Sequence, residues 1–173
     1  MLNINFSEKI SKRKLLHILK KASRKVSVND LMNASVFLNE EIKYMHKQEK
    51  KEYIRRFMHA FFMRLNELKN DKKRYEGSVD IKKLKELVDF MENKIKNSKS
   101  EKERSFYKIA AIVSIYATFV KEVPIHPLST KFPGNLKIRY RKGKYLCPVK
   151  DKQKESPEAL CKFCVAVQDE SVL

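Results

Sequence analysis

The chain has no tryptophan, three glycines and five prolines in 173 residues, and every proline lies at or beyond Pro124. The first 123 residues therefore hold one glycine and no proline. That excludes a turn-rich all-β architecture there and fits long helices. Cysteine is absent from the first 146 residues, and three follow. Three thiols cannot all pair within one chain, which excludes a complete disulfide framework. Long apolar runs are missing too. The longest, Phe106 to Val120, is 15 residues and contains Lys108. It is short of the ~20 residues that span a bilayer and reads as a buried core helix. The opening MLNINFSEKISKRK has no apolar segment of the signal-peptide kind. The expectation is a cytoplasmic protein with no membrane span, its thiols reduced or bound to metal. A Gly-rich phosphate loop and a His-Glu-x-x-His pair are also absent, so the sequence offers neither mechanism.

What is abundant is positive charge. Lysine supplies 30 of 39 basic residues, arginine nine, and the formal net charge is +18. Nucleic-acid binders lean more on arginine, whose planar fork pairs with phosphate and stacks on bases. Lysine excess with ten asparagines also follows from an A/T-rich genome or a heat-adapted proteome. The compositional reading is preferred. A protein partner is expected, and a nucleic-acid partner is open but not favoured.

Apolar spacing predicts five helices in residues 1–122. The first is capped at Ser7 and runs to Val26, with Ile10, Leu15, Leu16, Ile18, Leu19 and Ala22 on one side. The second carries Leu31, Met32, Ser35, Val36, Leu38, Ile42 and Met45. HKQEKKE is either a turn or the polar middle of one longer helix. A third stripe runs Tyr53, Ile54, Phe57, Met58, Phe61, Phe62, Leu65, Leu68 and reads as core rather than a cofactor box. A fourth helix starts near Asp80. Ser100 and Glu103 form a capping box for the fifth, which is apolar nearly all round and belongs at the centre. Val123-Pro124 stops it.

Beyond Pro124 the composition changes. Residues 123–173 read as a C-terminal lobe packed on the helical domain of residues 1–122. In LKIRYRKGKYL, apolar and basic residues alternate up to a turn at Gly143, which predicts a β-hairpin over 136–146. That hairpin could bind single-stranded RNA through interleaved aromatic and basic side chains. Its plainer reading is a solvated face. It leads directly to Cys147-Pro148, and Cys161-x-x-Cys164 follows after an excursion turned at Ser156-Pro157.

Two thiolates in a Cys-x-x-Cys can approach one metal from a single turn of chain, and a third sulfur from a hairpin end can close the site. The candidate ligands are Cys147, Cys161 and Cys164, with zinc and an iron–sulfur cluster both open. His126, in the irregular segment before the hairpin, is the candidate fourth ligand. The alternative is an open position filled by solvent, substrate or a partner. Of the other histidines, His17 lies among lysines, His46 at a polar helix end, and His59 is read as a core or boundary residue. No acid partners Ser129, Thr130 and His126, so a hydrolase triad is not favoured.

HPLSTKFPG, YLCPVKDKQ and LCKFCVAVQ together resemble the C-terminal signature of a small archaeal family, domain of unknown function 2115, known mainly from methanogens. The matching motifs are His126-Pro127, Phe132-Pro133-Gly134, Cys147-Pro148 and Cys161-x-x-Cys164. The resemblance implies a lineage and a site but no reaction. Methanogens are anaerobic and rich in iron–sulfur proteins, which raises a cluster relative to zinc. The reading is a mainly α protein, a bundle of about five helices with a small hairpin and a Cys-bearing lobe. It is an accessory or binding protein carrying a metal or iron–sulfur site. The alternatives are an iron–sulfur enzyme with an open coordination position, or a basic RNA-binding protein.

Overall fold

The structure is a computed structural model that describes residues 2–41, 47–153, 155–156 and 159–172. Ile42, Met45, His46 and Pro157, and the side chain of Tyr53, lie outside the described residues. Five helices form the bundle: α1 (Lys12–Ser23), α2 (Val28–Glu41), α3 (Lys47–Asn70), α4 (Ile81–Lys96) and α5 (Glu101–Ile115). The mainly α fold expected from the apolar spacing is what is found.

Local chemistry sets most helix starts. Asp80 caps α4 by accepting from the Lys83 amide at 3.1 Å. Ser100 caps α5 through the Glu103 amide, and Glu103 reaches back to the Lys99 amide at 2.6 Å. At α2 the pair is Ser27 and Asp30, each side chain accepting from the other's amide. The first helix differs from expectation. Its cap is Ser11, not Ser7, which hydrogen-bonds to Asn5 instead. The chain around Ile10 is extended because it pairs with residues 77–79: the Val79 amide donates to the Ile10 carbonyl at 2.9 Å. A long-range backbone bond overrides a good local cap.

α5 is central, packed against α1, α2, α3 and α4. Residues Ile109 to Ile115 are all buried. Phe37, Phe57 and Phe61 close around Phe106, with ring centroids 5.2–6.1 Å apart. The helix then widens into π turns over Tyr116–Lys121 and stops at Glu122, which adopts the left-handed conformation (φ 54°) ahead of Pro124. On α2 the expected apolar stripe is only partly inward. Ala34 and Leu38 are buried, whereas Met32 and Val36 face outward. Phe62 on α3 is also exposed, and so is His59, which is therefore not a core residue.

The C-terminal lobe is made of short pieces. β1 (Lys131–Phe132) pairs with β2 (Leu136–Lys137), and β3 (Arg139–Arg141) with β4 (Lys144–Cys147). The strand expected over 136–140 is thus split, with buried Ile138 between its halves. Lys142 (φ 48°) and Gly143 (φ 77°) make the two-residue turn, the conformation whose twist suits a hairpin. A one-turn helix, α6 (Lys150–Gln153), follows, and β5 (Val167–Gln168) adds to β4 in parallel. β structure was expected only near 136–146. β1 and β5 extend it, and β5 depends on a partner about 20 residues away that no local pattern announces.

Candidate functional site: the cysteine lobe

Cys147 ends β4 and is buried with Ile138 and Ala166, while Phe132, Tyr145, Val149 and Cys164 pack around them. Its backbone is fixed by β5: the Asp169 amide donates to the Cys147 carbonyl at 2.9 Å. Past the β4 end the chain turns at Pro148, and the nearby amides of Val149 and Lys150 favour the Cys147 thiolate. Those amides and the positive charge of Lys150 form an environment that suits a thiolate. Burial nonetheless dominates and pushes the Cys147 thiol up from its ordinary value.

Cys161 lies in a single 3-10 turn, Leu160–Phe163, whose end is closed by the Cys164 amide donating to the Cys161 carbonyl at 3.2 Å. Leu160 and Phe163 of that turn reach into the bundle core. Phe163 meets Phe90 of α4 at 5.8 Å, and Lys162 lies 4.6 Å over the Phe90 ring. The apolar residues of the turn thus pin it to α4. Burial, and then the neighbouring Cys164 and Cys147, push the Cys161 thiol up. Lys150 binds the Cys164 carbonyl at 2.8 Å and ties α6 to the Cys-x-x-Cys turn.

All three cysteines are free thiols in one lobe, and the Cys161 sulfur feels the charge of both others. Among the described residues, however, no group of three or more His, Cys, Asp or Glu side chains is placed to hold a metal ion as it stands. His126 stands edge-on to Phe132, ring centroids 5.6 Å apart. Phe132 in turn belongs to the cluster around Cys147. Burial lowers the imidazole pKa and keeps a ring nitrogen lone pair free. Among the described residues, no hydrogen bond links His126 to a sulfur.

Sequence reasoning missed the lobe's clasp. Arg139 on β3 forks onto Asp169 at 2.6–3.0 Å, and Asp169 is almost fully buried. Nothing local marks two residues 30 apart as partners. On the bundle, the Tyr75 and Tyr116 hydroxyls both donate to one Asp71 oxygen, at 2.8 and 2.6 Å. Burial and that carboxylate push Tyr75 up to about 12.

The family model of an uncharacterized protein conserved in archaea (DUF2115) matches residues 11–169. The chain belongs to that family. It is 45% identical to a UPF0305 protein of Methanothermobacter thermautotrophicus over 94% of this chain and 99% of the relative. A UPF0305 protein of Methanococcus maripaludis is 36% identical over 88% of this chain and 94% of its own. One of Methanocaldococcus jannaschii is 33% identical over 88% and 93%. No solved structure matches the chain. Among the described residues no helix is long and apolar enough to cross a membrane.

Proposed function

We propose that the protein is an accessory or binding factor whose C-terminal lobe takes up zinc or an iron–sulfur cluster on Cys147, Cys161 and Cys164, with His126 the candidate fourth ligand. The observation that carries this reading is the gathering of all three thiols of the chain in one small lobe, where two backbone amides and the charge of Lys150 favour the Cys147 thiolate. The donor set fits a thiophilic metal in kind. It does not fit yet in placement, so uptake has to draw the Cys161 turn toward Cys147. The raised thiol pKa values of Cys147 and Cys161 make metal uptake a proton-releasing, pH-dependent step.

The test is the metal and sulfide content of protein purified without oxygen, with zinc retention measured against a chelator. We expect about one metal centre per chain, lost in Cys161→Ser while the helical circular-dichroism signal stays. Substoichiometric metal, unaffected by that substitution, overturns the reading.

A further inference from the structure

Elsewhere on the surface, many cations of this basic chain have a carboxylate partner: Lys85 pairs with Asp89, Lys102 with Glu40 and Arg104 with Glu101. One region departs from that pattern on one side, although Lys12 and Lys14 at its start pair with Glu122 and Glu8. Residues 12–25, which include all of α1, carry seven lysines and arginines and no acid. The segment leaving α3, Asp71-Lys72-Lys73-Arg74, folds against that helix. Lys20 fastens the two together by donating to the Asp71 carbonyl at 2.7 Å. Between them run two adjoining clefts of about 290 and 330 Å³ that share His17 and Lys20.

The wall of the first cleft includes Arg13, His17, Lys20, Lys72, Lys73 and Arg74. Lys21 and Arg24 continue the second. Among the described residues none of these side chains is in an ion pair. The one carboxylate on the walls is Asp71, and it is already committed. Its oxygens accept from Tyr75, Tyr116 and the Lys73 amide. The cleft therefore presents an excess of positive charge on both sides, with Asp71 offsetting part of it beside Lys20, and is held in place by the Lys20 and Tyr116 contacts.

We infer that this α1 cleft binds the sugar-phosphate backbone of a nucleic acid. Three observations select that ligand. Arg13 to Arg24 covers about 16 Å of helix, room for a few successive phosphates of one strand. Among the described residues Leu16 is the only apolar side chain on the walls, and it is buried, so the cleft offers nothing to insert into a membrane or to anchor a protein interface. Among the described residues no Phe or Tyr lines it, and His17 is the one ring there, so contacts to phosphate outweigh base stacking and binding is largely independent of sequence. This site is separate from the cysteine lobe and from the hairpin over 139–147.

The experiment is fluorescence anisotropy of the full chain with a labelled oligo(U) RNA and with a DNA duplex, titrated with salt. Binding to either polymer at low salt, falling steeply toward ~0.2 M, is expected. The triple variant Arg13→Gln, Lys73→Gln, Arg74→Gln should weaken it about tenfold or more and flatten the log–log salt slope by roughly 2–3. A control triple, Lys82→Gln, Lys96→Gln, Lys99→Gln, removes the same charge from α4 and the turn after it and should change affinity less than about threefold. All six positions lie at the surface, so both variants should fold. Equal losses in the two triples overturn the inference, because net charge would then be the whole effect. So does the absence of binding at low salt, or equally tight binding to polyglutamate or phosphatidylserine vesicles.

Discussion

In the bundle, Leu84, Leu87 and Ile109 are fully buried in one core drawn from all five helices. In the C-terminal lobe the buried cluster is only Ile138, Cys147 and Ala166, and among the described residues no strand exceeds four residues. Burial of apolar area stabilises the first region. The second is too small for that and rests on the Arg139–Asp169 fork, the Gln168 contacts to residues 148–151, and the docking of Leu160 and Phe163 on the bundle. A region held by few apolar contacts opens locally before the whole chain unfolds. That would suit the metal uptake proposed above, in which the thiols have to move.

The comparison can be broken most forcefully in the bundle. Leu84→Ala removes a fully buried side chain and should cost about 2–5 kcal/mol by urea denaturation, taking the lobe with it. A loss below ~1 kcal/mol would mean that the core repacks and the contrast between regions is overstated.

The next effect belongs to the lobe. Arg139→Ala strands the buried Asp169 carboxylate, at a cost of about 1–3 kcal/mol. Amide exchange over 139–147 and 167–169 should quicken while α5 stays protected. Acid should act the same way. Burial would raise the Asp169 pKa, but hydrogen bonds from Ser171 and Arg139 outweigh it and hold the carboxylate below its ordinary value of 3.8. A pKa lowered by folding contributes stability above the unfolded value and loses it as pH falls through the folded one. The lobe should therefore loosen below about pH 4, and Arg139→Ala should reduce that dependence. Equal loosening of α5 would show the two regions to be one cooperative unit.

The smallest effect sharpens the boundary between them. Phe163→Ala removes the ring contact to Phe90 and should cost about 1 kcal/mol. It frees the Cys161 turn from α4. Exchange at residues 160–164 should rise, with the melting temperature of the bundle nearly unchanged.

Five helices were legible in the sequence because their signals are local. Ser100 with Glu103, Asp80 ahead of Ile81, and apolar residues three and four apart act within one or two turns. The candidate site was legible as residue types and as a lobe, since all the cysteines fall in one segment. The clasp and the cleft were not, though the acid-free run of seven cations over residues 12–25 was in view. Such a run becomes a site only when something faces it.

By itself, then, the sequence determined the helical bundle, its central helix, the excess of positive charge and the confinement of every thiol to the last 27 residues. Tertiary structure decided the rest. It moved the α1 cap from Ser7 to Ser11, turned Met32 and Val36 outward, split the strand at Ile138 and brought Lys72 to Arg74 across from Arg13. The physical reason is the same in each case. Capping and periodicity act through neighbours a few residues apart. Which face is buried, which backbone group pairs and which charges meet depend on partners tens of residues away, and only the packed chain supplies those.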